Sequence, residues 1–114
     1  MHVFGGEITV IRIEHDKNFI AFVAIHEASS ETIGWVNLTL QLDNKIKLQD
    51  AYVREGFRGR GIYKALWNER MKYIEENFKG YEVLSYCNDV SIGMFEENGF
   101  RLKETIKKMS KYIK

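Results

Sequence analysis

The chain has 114 residues, 45% hydrophobic and 29% charged, with a formal net charge of +1. That length admits a single domain, 1–114, whose core needs no cross-links, and the composition excludes disorder. The near-neutral charge argues against a general nucleic-acid or membrane-surface binder.

The first 53 residues read as four strands. Residues 7–14 alternate, with Ile8, Val10 and Ile13 among polar neighbours, and His15-Asp16-Lys17-Asn18 carries turn chemistry. Residues 19–25 form a β-rich apolar run, and Ala28-Ser29-Ser30-Glu31 marks the next turn. Residues 33–42 set Trp35, Asn37, Thr39 and Gln41 against Val36, Leu38, Leu40 and Leu42. Asp43-Asn44 is a hairpin signal, and 45–53 is the fourth strand.

The period then changes. Residues 62–78 are rich in helix formers, with Tyr63, Trp67, Met71, Ile74 and Phe78 as an apolar stripe, and Gly80 sits where the helix ends. A strand over 82–87, a helix over 91–98, a stop at Asn98-Gly99 and a strand over 102–106 follow. The last eight residues suit a strand or a helical piece, since Met109, Tyr112 and Ile113 fit both. Early hairpins and a later helical crossover imply an α+β fold with a mostly antiparallel mixed sheet.

Single Cys87 excludes an internal disulfide, and with no signal-peptide pattern or membrane-length segment the expected compartment is the cytoplasm. Between Arg101 and Lys114 lie six basic residues and one acid, read as a solvated end.

The turn joining the fourth strand to the first helix concentrates the chemistry. Gly56, Gly59 and Gly61 let its backbone take positive φ and approach a ligand closely. Free amides at a helix start favour a phosphate, and Arg58 and Arg60 add charge suited to its oxygens. A Walker loop would need Gly-Lys-Ser/Thr, and a dinucleotide fingerprint would need Gly-x-Gly-x-x-Gly after a first strand. Neither is present, so both nucleotide readings fall.

Arg58-Gly59-Arg60-Gly61-Ile62 resembles the acetyl-coenzyme A motif of the GNAT superfamily of N-acetyltransferases, Arg/Gln-x-x-Gly-x-Gly/Ala. Asn88-Asp89-Val90-Ser91-Ile92-Gly93-Met94-Phe95-Glu96-Glu97-Asn98-Gly99-Phe100 resembles the family's second motif, Asn-x-x-Ala-x-x-x-Tyr-x-x-x-Gly-Phe, at the same spacing. The resemblance covers residue 45 to the C-terminus. It implies acetyl-coenzyme A as co-substrate, an amine acceptor and no metal. It also implies that the backbone of Ala51, Tyr52 and Val53 pairs with the pantetheine arm. Arg58, Gly59, Arg60, Gly61, Ile62, Tyr63 and Lys64 would hold the pyrophosphate, and Asn88 would touch the cofactor.

The chain departs from the family in four places. Tyr63 replaces the small residue closing the first motif, and Ser91 replaces an alanine. Phe95 stands where the resemblance places a tyrosine that protonates the departing thiolate, and a phenyl ring has no proton to give. The turn at 14–19 has no room for the two helices that family members place after their first strand, so the acceptor side should be shallow and open.

Family bases often lie on the fourth strand. Its inward positions by alternation are Lys47, Gln49 and Ala51, with Gln49 able to order a water. Asp50 or Glu55 enters only if the register differs, while Glu7, His26 and Glu27 are further candidates on earlier strands. The expected function is acetyl transfer to a protein, peptide or small amine. The alternative is a coenzyme A-binding module of the same fold without turnover. Membrane and nucleic-acid partners are not expected, and a homodimer completing a short last strand remains open.

Overall fold

The computed structural model describes residues 2–3, 6–86, 92–102 and 108–113. Eight strands form one sheet: β1 (His2–Val3), β2 (Gly6–Asp16), β3 (Phe19–His26), β4 (Glu31–Gln41), β5 (Lys45–Val53), β6 (Glu82–Tyr86), β7 (Arg101–Leu102) and β8 (Lys108–Tyr112). Helices α1 (Ile62–Asn77) and α2 (Ile92–Glu97) follow β5 and β6. The strand order is β1-β2-β3-β4-β5-β6-β8-β7. Only the β5–β6 pairing is parallel; the others are antiparallel.

Local chemistry accounts for the hairpins. Asp16 pairs with Phe19 across Lys17-Asn18, and the Asn18 amide donates to Asp16 Oδ1 at 2.7 Å. This two-residue connection leaves no place for helices between the first long strands, as the sequence implied. Asp43 and Asn44 both take left-handed φ, 61° and 56°, residue types that tolerate it. Leu42, which alternation sets with Val36, Leu38 and Leu40, is 87% exposed because the strand ends at Gln41.

The core lies between the sheet and α1. Ile20, Phe22, Ile33, Val36, Leu38, Ile46 and Leu48 pack with Ile62, Leu66, Trp67, Met71 and Ile74, and each fully buried aliphatic contributes roughly 1.5–3 kcal/mol. The opposite face of β2–β5 carries no helix among the described residues. There Ile11, Ile13, Trp35 and Tyr52 are 36–42% exposed, and the Trp35 and Tyr52 rings meet at 4.7 Å.

At the C-terminal end the open choice resolves to a strand. Lys108–Tyr112 is β8, held by pairing with β6 over Glu82–Tyr86. The strand expected over 102–106 is described only as Arg101–Leu102, and the rest of it lies outside the described residues. No helix among the described residues is long and apolar enough to cross a membrane.

Candidate functional site

Strands β5 and β6 pair in parallel only from Lys45 to Lys47, against Glu82 to Leu84. Beyond that point no pairing between them occurs among the described residues, so there the second half of β5 presents an open edge toward β6. Free amides and carbonyls on such an edge must find another partner.

A β-bulge shapes this half-strand. Val36 of β4 pairs with Ala51, and its neighbour Asn37 pairs with Gln49, leaving Asp50 as the extra residue at φ 48°. The bulge breaks the simple alternation expected from sequence. Lys47 and Gln49 share a face, but Ala51 does not share it with them, because one inserted residue exchanges the faces beyond it. Gln49 accepts a hydrogen bond from Thr39 Oγ1, so its carbonyl oxygen is engaged and its amide nitrogen is the free end. Asp50 is exposed and accepts from Asn37 Nδ2 at 3.1 Å.

Behind the bulge stands Arg70 of α1, only 2% exposed, whose Nη1 donates to the Asn37 carbonyl at 3.0 Å. Burial pushes its guanidinium down to about 10, so it remains charged at neutral pH. Tyr63 is half-buried, and burial raises its phenol against the opposing pull of Arg70.

From Val53 the chain turns through a 3₁₀ turn at Glu55–Phe57. The Arg54 amide donates to the Ile33 carbonyl at 2.7 Å, and the Arg54 guanidinium pairs with Glu31. Arg58 ties the loop to the strand end, its Nε donating to the Val53 carbonyl at 2.7 Å, while its guanidinium lies 5.7 Å from the Tyr52 ring centre. Gly59 and Gly61 take φ of 76° and 83°, and Gly61 begins α1 as a left-handed cap with no side chain of its own to satisfy the helix amides.

Around this turn opens a cavity of about 430 Å³, lined by Ala51, Tyr52, Val53, Phe57, Arg58, Gly59, Gly61, Ile62, Tyr63 and Lys64. Arg60 is half-buried, with its guanidinium 5.6 Å from the Phe57 ring centre, and is not in that lining. Gln49 is likewise outside it. Asn88 and Cys87 lie outside the described residues. Phe95 is 5% exposed and packs edge-on against Trp67 at 5.1 Å and Phe100 at 5.2 Å, as a core aromatic.

The earlier-strand candidates do not line the cavity. His26 Nδ1 lies 2.8 Å from Ser29 Oγ, its ring 5.2 Å from that of Phe57, one residue removed from the cavity. Thr9 donates to Glu27, and Glu7 is exposed. A larger cavity of about 790 Å³ lies elsewhere, among Glu75, Gly99, Arg101 and residues 110–113. It has neither a strand edge at the β5–β6 seam nor a helix start, so the smaller cavity is the better candidate.

The cavity's chemistry is that of an anion cradle continuous with a strand edge. Left-handed glycines expose consecutive amides at the positive end of α1, and no side chain fills the space a Cβ on Gly59 would enter. Pyrophosphate fits the turn, and an extended amide-bearing arm fits the edge of Ala51–Val53. Among the described residues no three His, Cys, Asp or Glu gather as metal ligands.

Two residues escaped the sequence reading, Asn37 and Arg70; Asp50, admitted there only if the register differed, gains its place because the bulge shifts the register. The signal for Arg70 was present, since it falls between the apolar positions Leu66 and Ile74 at helical spacing.

Residues 5–100 match the family model described as "Acetyltransferase (GNAT) family", and the chain belongs to that family. No curated protein matches. Among solved structures, PaiA N-acetyltransferase from Thermoplasma acidophilum in complex with coenzyme A superposes with a TM-score of 0.64 at 20% identity, over 85% of this chain and 62% of that one. An acetyltransferase structure from Exiguobacterium gives 0.72 at 14% identity, over 91% of each chain. Tetrahymena GCN5 gives 0.65 at 19%, over 87% of this chain and 71% of that one. These likenesses show the fold, and the chain spans less than two thirds of the Thermoplasma protein.

Proposed function

We propose that the chain transfers an acetyl group from acetyl-coenzyme A to a primary amine by direct attack. The observation that carries this reading is one continuous lining: the left-handed Gly59 and Gly61 at the start of α1 share a cavity with Ala51, Tyr52 and Val53 of β5, which follow the bulged Asp50 in the chain. Bound acetyl-coenzyme A supplies an acyl group activated as a thioester. The residues of the chain bind, orient and move a proton.

The amides following Gly59 and Gly61 hold the pyrophosphate, with charge from Arg58, Arg60 and Lys64. The strand edge at Ala51, Tyr52 and Val53 aligns the pantetheine arm and polarises the carbonyl by amide hydrogen bonds. Asn88 is assigned to the cofactor by its motif position alone. Only a neutral amine attacks, and Asp50, which precedes this edge in the chain and accepts from Asn37 Nδ2, is the carboxylate assigned to take its proton. Gln49 presents its amide nitrogen to the same face. The uncovered sheet face with Trp35 and Tyr52 makes the acceptor side open, which favours an extended acceptor such as a protein or peptide amine over an enclosed small one.

The buried Phe95 favours a second reading, a coenzyme A-binding module without turnover, since no phenol stands at that position. One experiment separates the two. Calorimetry measures coenzyme A affinity, and thiol release from acetyl-coenzyme A is followed with a panel of peptides, polyamines and small amines. Acceptor-dependent thiol release supports transfer. Binding without release across the panel supports the module, and absence of binding refutes both.

A further inference from the structure

We infer that Arg70 is a positioning residue for acyl transfer, clamping the β5 bulge through Asn37 and so fixing where Asp50 and the Ala51–Val53 edge stand. This rests on the function proposed above, and its test is built to separate the two.

Arg70 is poorly explained as a stabilising residue. Its side chain is 2% exposed, and among the described residues it meets no carboxylate. Its Nε is buried with no hydrogen-bond partner among those residues. A buried guanidinium with an unsatisfied nitrogen is a cost that an unbranched apolar side chain would avoid, and such replacements are often neutral or stabilising. The Trp67 ring, 5.1 Å away, would pack equally well on a thioether.

What Arg70 does supply, among the described residues, is one directed hydrogen bond, and its target is informative. Asn37 is the β4 residue at which the register with β5 shifts. Its carbonyl accepts from Arg70 Nη1, and its side-chain Nδ2 donates to Asp50. One residue therefore links the helix to the bulge. A bulged strand is held by little of its own, because the extra residue lies outside the ladder. Asp50 is also kept at φ 48°, which an aspartate tolerates but which is not the extended conformation of a ladder residue. If Asp50 relaxed into the ladder, Ala51, Tyr52 and Val53 would slip by one position and exchange faces. The edge that aligns a thioester would then present the wrong amides, and the Asp50 carboxylate would leave its place.

The experiment compares wild type with Arg70→Met and Arg70→Lys. Expected for Arg70→Met is a melting temperature no lower than wild type, with unchanged affinity for adenosine 3′,5′-bisphosphate, which probes the turn alone. Its kcat falls about 10- to 100-fold, the scale of a misplaced reacting group, and amide exchange at the paired residues Asn37 and Gln49 beside the bulge quickens. Arg70→Lys, which keeps a donor, recovers most of kcat and slow exchange. Wild-type kcat and exchange in Arg70→Met would overturn the inference. So would a melting temperature several degrees lower in both variants, which would mark Arg70 as an ordinary core residue. If wild type proves inactive, the transfer reading fails on its own, and exchange at Asn37 and Gln49 still decides the role of Arg70: faster exchange in Arg70→Met upholds the clamp and equal exchange refutes it.

Discussion

Replacing Gly61 by valine tests the cradle most directly. Gly61 sits at φ 83°, ψ 7°, immediately before α1. A left-handed conformation costs an ordinary residue roughly 1–2 kcal/mol, with a β-branched side chain at the upper end. A domain of this size has about 5–15 kcal/mol of stability, so the variant folds. Relief of the strain rotates the peptide and turns the neighbouring amides away from the phosphate position. Hydrogen bonds to a charged group contribute about 1.5–3 kcal/mol each, so losing two weakens coenzyme A binding by roughly 10²- to 10⁴-fold. Two neighbouring glycines calibrate the result. Gly59 has φ 76° and no heavy atom within 4 Å of an added Cβ, so Gly59→Ala carries backbone strain alone and a smaller loss. Gly56 has the same open space without the positive φ, so Gly56→Ala is silent in both binding and melting. The assay is calorimetric titration with coenzyme A beside thermal melts of all three variants. A cooperative Gly61→Val melt with affinity within about threefold of wild type, less than a tenfold step of 1.4 kcal/mol, would refute the placement of the pyrophosphate.

Two further substitutions address the chemistry. Asp50→Asn keeps a residue type that tolerates positive φ, so coenzyme A affinity and melting hold. Acceptor-dependent turnover drops about 10²-fold if the carboxylate takes the amine proton, the size of a general-base contribution; undiminished steady-state rates would exclude Asp50. Phe95→Tyr places a hydroxyl in the aromatic cluster with Trp67 and Phe100, costing about 1–3 kcal/mol, with a lower melting temperature and no gain in turnover. Higher turnover with an unchanged melt would show that the ring edge opens to the thioester.

The parts of the molecule legible in the sequence were those specified by neighbouring residues. Lys17-Asn18 and Asp43-Asn44 announce their hairpins because turn chemistry is local, and Gly59 and Gly61 announce a left-handed turn for the same reason. The bulge was hidden because Asp50 sits in a run that alternates acceptably without it, and only pairing with β4 shows the extra residue. The burial of Arg70 is signalled by its spacing with Leu66 and Ile74, but its partner Asn37 is 33 positions away, so its bond to the bulge is a tertiary fact. Strand β8 was ambiguous because Met109, Tyr112 and Ile113 serve either period, and β6 decides between them.

The short parallel seam between β5 and β6 also bears on how the molecule assembles. Strands β2 to β5 are consecutive hairpins whose contacts close small loops, the kind that form fast. Joining β6 to β5 requires the whole α1 crossover first, and the join then extends over only the three pairs from Lys45 to Lys47. The meander forms early in folding and the seam closes late, so the cradle and the strand edge acquire their final relation at the end of the process. A ligand spanning both sides of that seam would act as a clasp on the last step, slowing unfolding more than it speeds folding.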